Sequence, residues 1–225
     1  MPLNFNPDSD FAQVTDGLET VTLWRRGSSR TTVVTGAKRA VATTQSAKTR
    51  NRHNTWKDIA SDGRYAARDL DWHLPAQQLD DAPRPGDAIV DSDGRRWTIL
   101  ETQRATLQSR WRCATRNLAI VYGLDDTVTI LKATYAKGNA GALEATWRPW
   151  KTGVRARIQP AATEVRTERQ ARRTNRRFRI FLEEDVALDH THRIKAPDGT
   201  IYGIRGTNGA DRIDEVQTVD AEADS

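Results

Sequence analysis

Seven arginines fall within a short span, at Arg166, Arg169, Arg172, Arg173, Arg176, Arg177 and Arg179, and that span holds one acidic side chain, Glu168. A second basic stretch carries Lys48, Arg50, Arg52, Lys57, Arg64 and Arg68. Guanidinium groups at this density suit a polyanion. Each is permanently charged, offers phosphate oxygens a planar fork of donors, and displaces condensed counterions without reading base sequence. The competing use is a solvated loop, or a subunit contact in which acidic neighbours pair the arginines. No helix-turn-helix, zinc-finger or aromatic stacking pattern accompanies the clusters, so base-specific recognition is not expected.

Other chemistry-bearing residues are sparse. His190 and His192, with Asp185 and Asp189 nearby, alternate as two imidazoles on one side of a strand would. Two histidines are too few for a metal site, and polar packing at a strand start is the expectation. The glycine-rich run Gly203 to Gly209 lacks both the phosphate-loop lysine and the dinucleotide-binding spacing. No nucleophile or metalloenzyme motif is present. The chain is therefore expected to have no catalytic residue, no metal and no cofactor, and not to be an enzyme. Cys113 is the only cysteine, which excludes an intrachain disulfide, and it is expected to pack as a small apolar residue. Of seven tryptophans, Trp147 and Trp150 flank Pro149 beside Arg148 and Lys151 and are candidate interface residues, while most of the others are expected in a core.

These residues must be positioned by strands. Leu18 to Trp24 and Asp125 to Leu131 alternate apolar and polar side chains, the period of a half-buried strand. Glu19-Thr20-Val21-Thr22-Leu23 aligns with Asp126-Thr127-Val128-Thr129-Ile130 at an offset of 107, and Ile89, Asp93, Gly94, Trp97 and Ile99 align with Ile194, Asp198, Gly199, Tyr202 and Ile204 at an offset of 105. Asp69 to Leu74 stands in the first half where Arg176 to Leu182 stands in the second. Three elements in one order at nearly constant spacing indicate a tandem duplication. Each Asp-Gly pair predicts a tight hairpin turn, since glycine accepts a positive φ without a Cβ clash.

The expected fold is mainly β: two tandem small β-barrels or β-sandwiches with long loops and little helix, residues 1–122 and 123–225, joined near Gly123. Ala162 to Asn175 has good helix formers without an apolar stripe, so it reads as a helix or a long polar loop. Both basic segments would project from a barrel rim. The terminal stretches, MPLNFNPDSD and the acidic QTVDAEADS, are expected to order only against neighbouring subunits.

Composition adds limits. The 225 residues include 35 Lys and Arg against 30 Asp and Glu, so the net charge of +5 matters only where it is concentrated. No apolar run reaches the ~20 residues that span a bilayer, and the start lacks a signal-peptide pattern, which points to synthesis in a cytoplasm and no membrane partner.

The run from Pro83 to Ile99, P-x-x-GD-x-I-x-D-x-DG-x-x-W-x-I, preceded by a strand and a long variable loop, resembles the head-tail connector proteins of tailed bacteriophages, in particular the head-completion or stopper group. The second half, from TVTILKATY to RIDEV, is similar to them as well. The resemblance implies a structural protein of the virion neck, made in the host cytoplasm. It would form a homo-oligomeric ring between the portal or adaptor protein and the tail tube or terminator protein, retaining packaged double-stranded DNA by non-specific contact. It also implies that the long loop before the second major strand faces the DNA channel, which falls on Lys48 to Arg68 and Arg166 to Arg179. A duplicated barrel would let six copies present twelve similar domains to a portal of twelvefold symmetry. Capsid decoration, tail termination and a non-specific nucleic-acid-binding module are the alternatives.

Overall fold

The computed structural model describes residues 17–41, 68–137, 143–168 and 171–223, with side chains described at all of these except 41, 106 and 162–175. The chain divides into two compact units, Met1–Ile120 and Val121–Ser225. A short helix, α1 (Leu118–Tyr122), lies immediately before Gly123, near which the sequence predicts the join.

The first unit contains β1 (Leu18–Trp24), β2 (Thr31–Val41), β3 (Asp69–Pro75), β4 (Ala88–Val90), β5 (Arg96–Arg104) and β6 (Arg110–Arg116). They close into a barrel in the order β1-β2-β3-β6-β5-β4. The second unit contains β7 (Asp126–Lys137), β8 (Leu143–Glu168), β9 (Ala171–Leu182), β10 (His192–Lys195), β11 (Ile201–Asn208) and β12 (Gln217–Ala223), closed in the order β7-β8-β9-β12-β11-β10. The two circuits are the same. The register agrees too: Leu23 pairs with Ile89 and Ile89 with Trp97, as Ile130 pairs with Ile194 and Ile194 with Tyr202. Each strand that aligned in sequence thus occupies the equivalent place in its barrel.

Alternation builds each core. Val21 and Leu23 point inward and are fully buried, while Trp24 between the sheet and solvent is exposed. The first core gathers Val21, Leu23, Val34, Trp72, Leu74, Ile89, Trp97 and Ile99, with the Trp72 and Trp97 rings edge-on at 6.4 Å. The second gathers Val128, Ile130, Val154, Ile180, Leu182, Ile194, Tyr202 and Val219. Side chains fill both interiors, as expected of small barrels. Cys113 is buried as read from sequence, and burial, with lesser help from Asp87 and Asp71, pushes its thiol up to about 12.

The Asp-Gly hairpins use one hydrogen-bond frame. Gly94 N donates to Asp91 O and Asp91 N to Arg95 O, as Gly199 N donates to Ala196 O and Ala196 N to Thr200 O. Gly94 and Gly199 have φ of +76° and +90°, the left-handed region that disfavours any Cβ. Asp198 takes the backbone N–H of Thr200, which holds its carboxyl below the usual carboxylate range.

Beyond the hairpin frame the repeats diverge at one corner. In the first barrel the buried Asp87 carboxylate accepts from Arg25 Nη1 at 2.8 Å, from Arg26 N at 3.0 Å and from Arg84 N at 2.9 Å. Asp87 and Arg25 align with His192 and Lys132 by the same offsets, and His192 pairs with Lys132 in the β7 to β10 register. The acid-base lock of the first barrel has no equivalent in the second.

QTVDAEADS is not a free tail. Its Gln217 to Ala223 form β12, and Val219 and Ala221 alternate inward, because the second barrel closes only through this strand. MPLNFNPDSD lies outside the described residues.

A Cβ at Gly94 or Gly199 would meet no heavy atom within 4 Å, so only the backbone conformation opposes substitution. Gly94→Ala and Gly199→Ala should each destabilise the protein by about 1–2 kcal/mol, read by chemical denaturation. Cys113 should not react with a thiol reagent at neutral pH while the chain is folded, and its modification rate should rise with denaturant in step with unfolding.

Candidate functional site

β8 is 26 residues long, more than the second barrel needs. Its first half pairs with β7, from Leu143 opposite Lys137 to Ala156 opposite Asp126, and its second half with β9, from Ala156 opposite Leu182 to Glu168 opposite Ala171. β7 pairs with β10 only as far as Lys132, and β9 with β12 only from Arg177 onward. Both hairpins therefore continue past the barrel as two-stranded ribbons.

The first ribbon has unlike faces. Directly opposed residues of an antiparallel pair share a face, and alternate residues along each strand share it too. One face reads Leu131 with Pro149, Ala133 with Trp147, Tyr135 with Ala145, and Lys137 with Leu143; the other reads Lys132 with Arg148, Thr134 with Thr146, and Ala136 with Glu144. The first is apolar except at Lys137, and the second is polar except at Ala136. Leu131 and Ala133 are buried at the foot, but farther out Tyr135 is 54% and Leu143 73% exposed. The apolar strip thus begins covered and ends open.

The foot is built from rings and cations. Trp150 is the extra residue at a register shift, since Pro149 and Lys151 pair with the consecutive residues Leu131 and Ile130. Its ring lies 5.0 Å from that of His192 and carries Lys132 Nζ at 5.7 Å, while Arg193 stacks on Trp147 at 4.1 Å. His192 Nδ1 lies 2.8 Å from Asp189 Oδ1, and its Nε2 is buried with no hydrogen-bond partner among the described residues. Bonds from Thr191 and His192 keep the Asp189 carboxyl far below the usual carboxylate range. Lys151 donates to the Glu184 carboxylate. Beside this foot, Trp147, His190, Arg193, Gly203, Arg205 and Glu222 line most of a cleft of about 310 Å³.

The second ribbon is where the arginine cluster lies. Ala162 to Asn175 is neither helix nor loop: its described residues form the paired ends of β8 and β9. β-branched residues at every second position, Thr163, Val165 and Thr167, were the available sign, overshadowed by helix-forming Glu, Gln and Arg. The register sets Arg166 opposite Arg173, Arg172 opposite Thr167, Arg176 opposite Thr163 and Arg177 opposite Ala162. Arg169 lies outside the described residues, as do Lys48, Arg50, Arg52 and Arg64. Arg176 and Arg177 are exposed. The lower arginines meet acids of β12, with Arg177 Nε 3.7 Å from Glu222 and Arg179 Nε 3.2 Å from Asp220, and Arg205 shares Glu222 at 2.6 Å. Screened surface pairs of this kind contribute about 0–1 kcal/mol each.

The tryptophans other than Trp147 and Trp150 divide as expected, most of those described lying in or against the first core. Of those described, Trp72 and Trp97 are fully buried and Trp111 packs against the first core, whereas Trp24 and Trp150 are 40% and 47% exposed and Trp147 is half-buried. Three positions apart on one strand, Trp147 lies on the apolar face, and Trp150, the extra residue at the register shift, lies against His192. Sequence reading missed Tyr135, Leu143, Arg193 and Lys132. The signal was present as a period of two running on from Leu131 through Ala133 and Tyr135, and again through Leu143, Ala145 and Trp147. Among the described residues no group of three or more His, Cys, Asp and Glu side chains is arranged to hold a metal.

No protein-family model matches the chain, and no curated protein matches its sequence.

The exposed end of the first ribbon buries little, so Tyr135→Ser with Leu143→Ser should change unfolding free energy by less than about 0.5 kcal/mol per site, measured by chemical denaturation. A larger loss would mean that the apolar face is covered within the chain.

Proposed function

We propose that the protein is a structural component of a tailed-phage neck, assembling as a ring between portal or adaptor and tail and helping to retain packaged DNA. The observation that carries this reading is the pair of ribbons leaving a closed, side-chain-filled barrel. A closed barrel has no free sheet edge and a filled one has no interior chamber, so contact with other molecules falls to its outer wall and to whatever extends from it. A two-stranded ribbon is marginal in water by itself. One with an apolar face and one with arginines concentrated on β9 and joined by Arg166 of β8 opposite Arg173 are suited to being covered, respectively, by protein and by a polyanion.

The resemblance of the Pro83 to Ile99 pattern to head-completion proteins supplies the setting, and the repeated strand order supports a duplicated unit of that type. The basic ribbon supports contact with the DNA backbone rather than with bases, since it offers guanidinium groups without a groove-reading helix. Its salt-paired lower end, at Arg177 and Arg179, belongs to the barrel wall, so the DNA-facing role falls on the outer arginines. A non-specific nucleic-acid-binding module is the second reading, favoured by the opposition of Arg166 and Arg173.

Co-sedimentation with purified portal complexes tests the neck reading: the chain should pellet with them, and particles lacking it should lose DNA or tails. Normal filled, tailed particles without the protein would overturn it. Reversing Arg166, Arg172, Arg173 and Arg176 together to Glu should leave folding intact and cause particles to leak DNA, with a far smaller effect from any single change, because a ring multiplies each charge. Particles that keep DNA but lose tails would assign the arginines to a protein contact. For the second reading, the isolated chain should bind duplex DNA with an affinity that falls steeply with salt.

A further inference from the structure

The apolar face of the first ribbon runs from Leu143 and Tyr135 down through Ala145 to Trp147, where it meets the cleft at the ribbon's foot. The charged side chains lining that cleft are Arg193, Arg205 and one carboxylate, Glu222, which is bonded to Arg205 at 2.6 Å, so Arg193 carries the excess positive charge beside the ring of Trp147. Lys137 adds a cation at the far end. The surface therefore suits an extended segment that is both apolar and acidic.

We propose that this surface takes residues 1–16 of a second copy of the chain. Charge selects the segment. Residues 1–16 carry Asp8, Asp10 and Asp16 with no Lys or Arg, and apolar side chains at Leu3, Phe5, Phe11 and Val14. The other long stretch outside the described residues, 42–67, carries five Lys and Arg against two Asp and would be repelled. Length is sufficient: 16 extended residues reach up to about 55 Å, while the strip from Leu131 to Lys137 spans about 20 Å. Burial of Phe5 or Phe11 against Trp147, Tyr135 and Leu143 supplies apolar area, and the aspartates pair with Arg193 and Arg205 at the rim. Taking the segment from a second copy rests on the assembly reading above. The segment leads into the first barrel and the surface belongs to the second, so the contact joins copies head to tail, the kind of interface that closes into rings.

Two variants test this by complementation: a chain beginning at Gly17, and a full chain carrying Tyr135→Ser with Leu143→Ser. Neither should self-associate in sedimentation velocity, the unaltered chain should, and an equimolar mixture of the variants should form a heterodimer. A synthetic peptide of residues 1–16 should bind the chain beginning at Gly17 with a change in tryptophan emission. Affinity should drop about tenfold or more when its three Asp are replaced by Asn, and should weaken with added salt. Unchanged association of the shortened chain, equal peptide binding to the ribbon variant, or peptide binding by a chain that stays monomeric at every concentration would each overturn the proposal, the last by placing the contact within one copy. Peptide binding requires no portal, so a chain that passes these tests yet fails to co-sediment with portal complexes sinks the neck reading alone.

Discussion

Closure of each sheet through its shortest strand is the constraint on which the rest depends. β4 and β10 contribute only three and four residues, yet they join β1 to β5 and β7 to β11 and so complete the circuits. The pairs made there, Leu23 with Ile89 and Ile130 with Ile194, bring fully buried side chains into the centres of the two cores. A one-residue slip would turn every one of these side chains to solvent, so the register is held by the burial it creates. Once closed, the barrels have no unpaired edge within the wall. Whatever the chain presents for contact must stand on the outer wall or beyond the barrel end.

The two copies of the unit resolve one corner in opposite ways. The first barrel locks the turn after β1 with a buried Asp87 carboxylate held by Arg25 and two backbone donors, and the chain reverses within Arg25 to Arg30. In the second, Lys132 pairs with His192, no carboxylate occupies that position, and Trp150, an extra residue of β8, sets its ring against both side chains. With no lock to end the hairpin, β7 and β8 run on as the ribbon. The duplication thus kept the barrel frame and altered the element that leaves it, which is where a surface can change without cost to the core.

The ribbons divide the labour of contact by composition. One opposes apolar residues on one side and polar residues on the other; the second gathers its arginines on β9, with Arg166 of β8 opposite Arg173. On the proposed reading these are a protein-facing and a DNA-facing element emerging from neighbouring stretches of the same strand, β8. Acids on β12 pair with Arg177 and Arg179, the arginines nearest the wall.

Local chemistry in the sequence determined the barrels themselves. Strand alternation at Val21 and Leu23, and at Val128 and Ile130, the Asp-Gly turns with their need for positive φ, and the repeat offsets of 105 and 107 are all short-range properties, and they specified strands, hairpins and duplication correctly. Tertiary structure alone decided three further matters. Ala162 to Asn175 became strand because its ladder continues that of the barrel, which outweighs the helix propensity of its Arg, Glu and Gln residues. Gln217 to Ala223 became a wall strand because the circuit is incomplete without it, although its acidic composition resembles a loose tail. Trp150 came to lie against His192 as the extra residue of a register shift, which is invisible in spacing, although its separation from Trp147, three positions earlier, follows from strand alternation. Propensity and periodicity act over a few residues, whereas pairing partners and bulges are chosen by segments far apart in the chain, so the sequence alone showed the strands whose pattern is local, and the assembled sheet added the others and decided what each one faces.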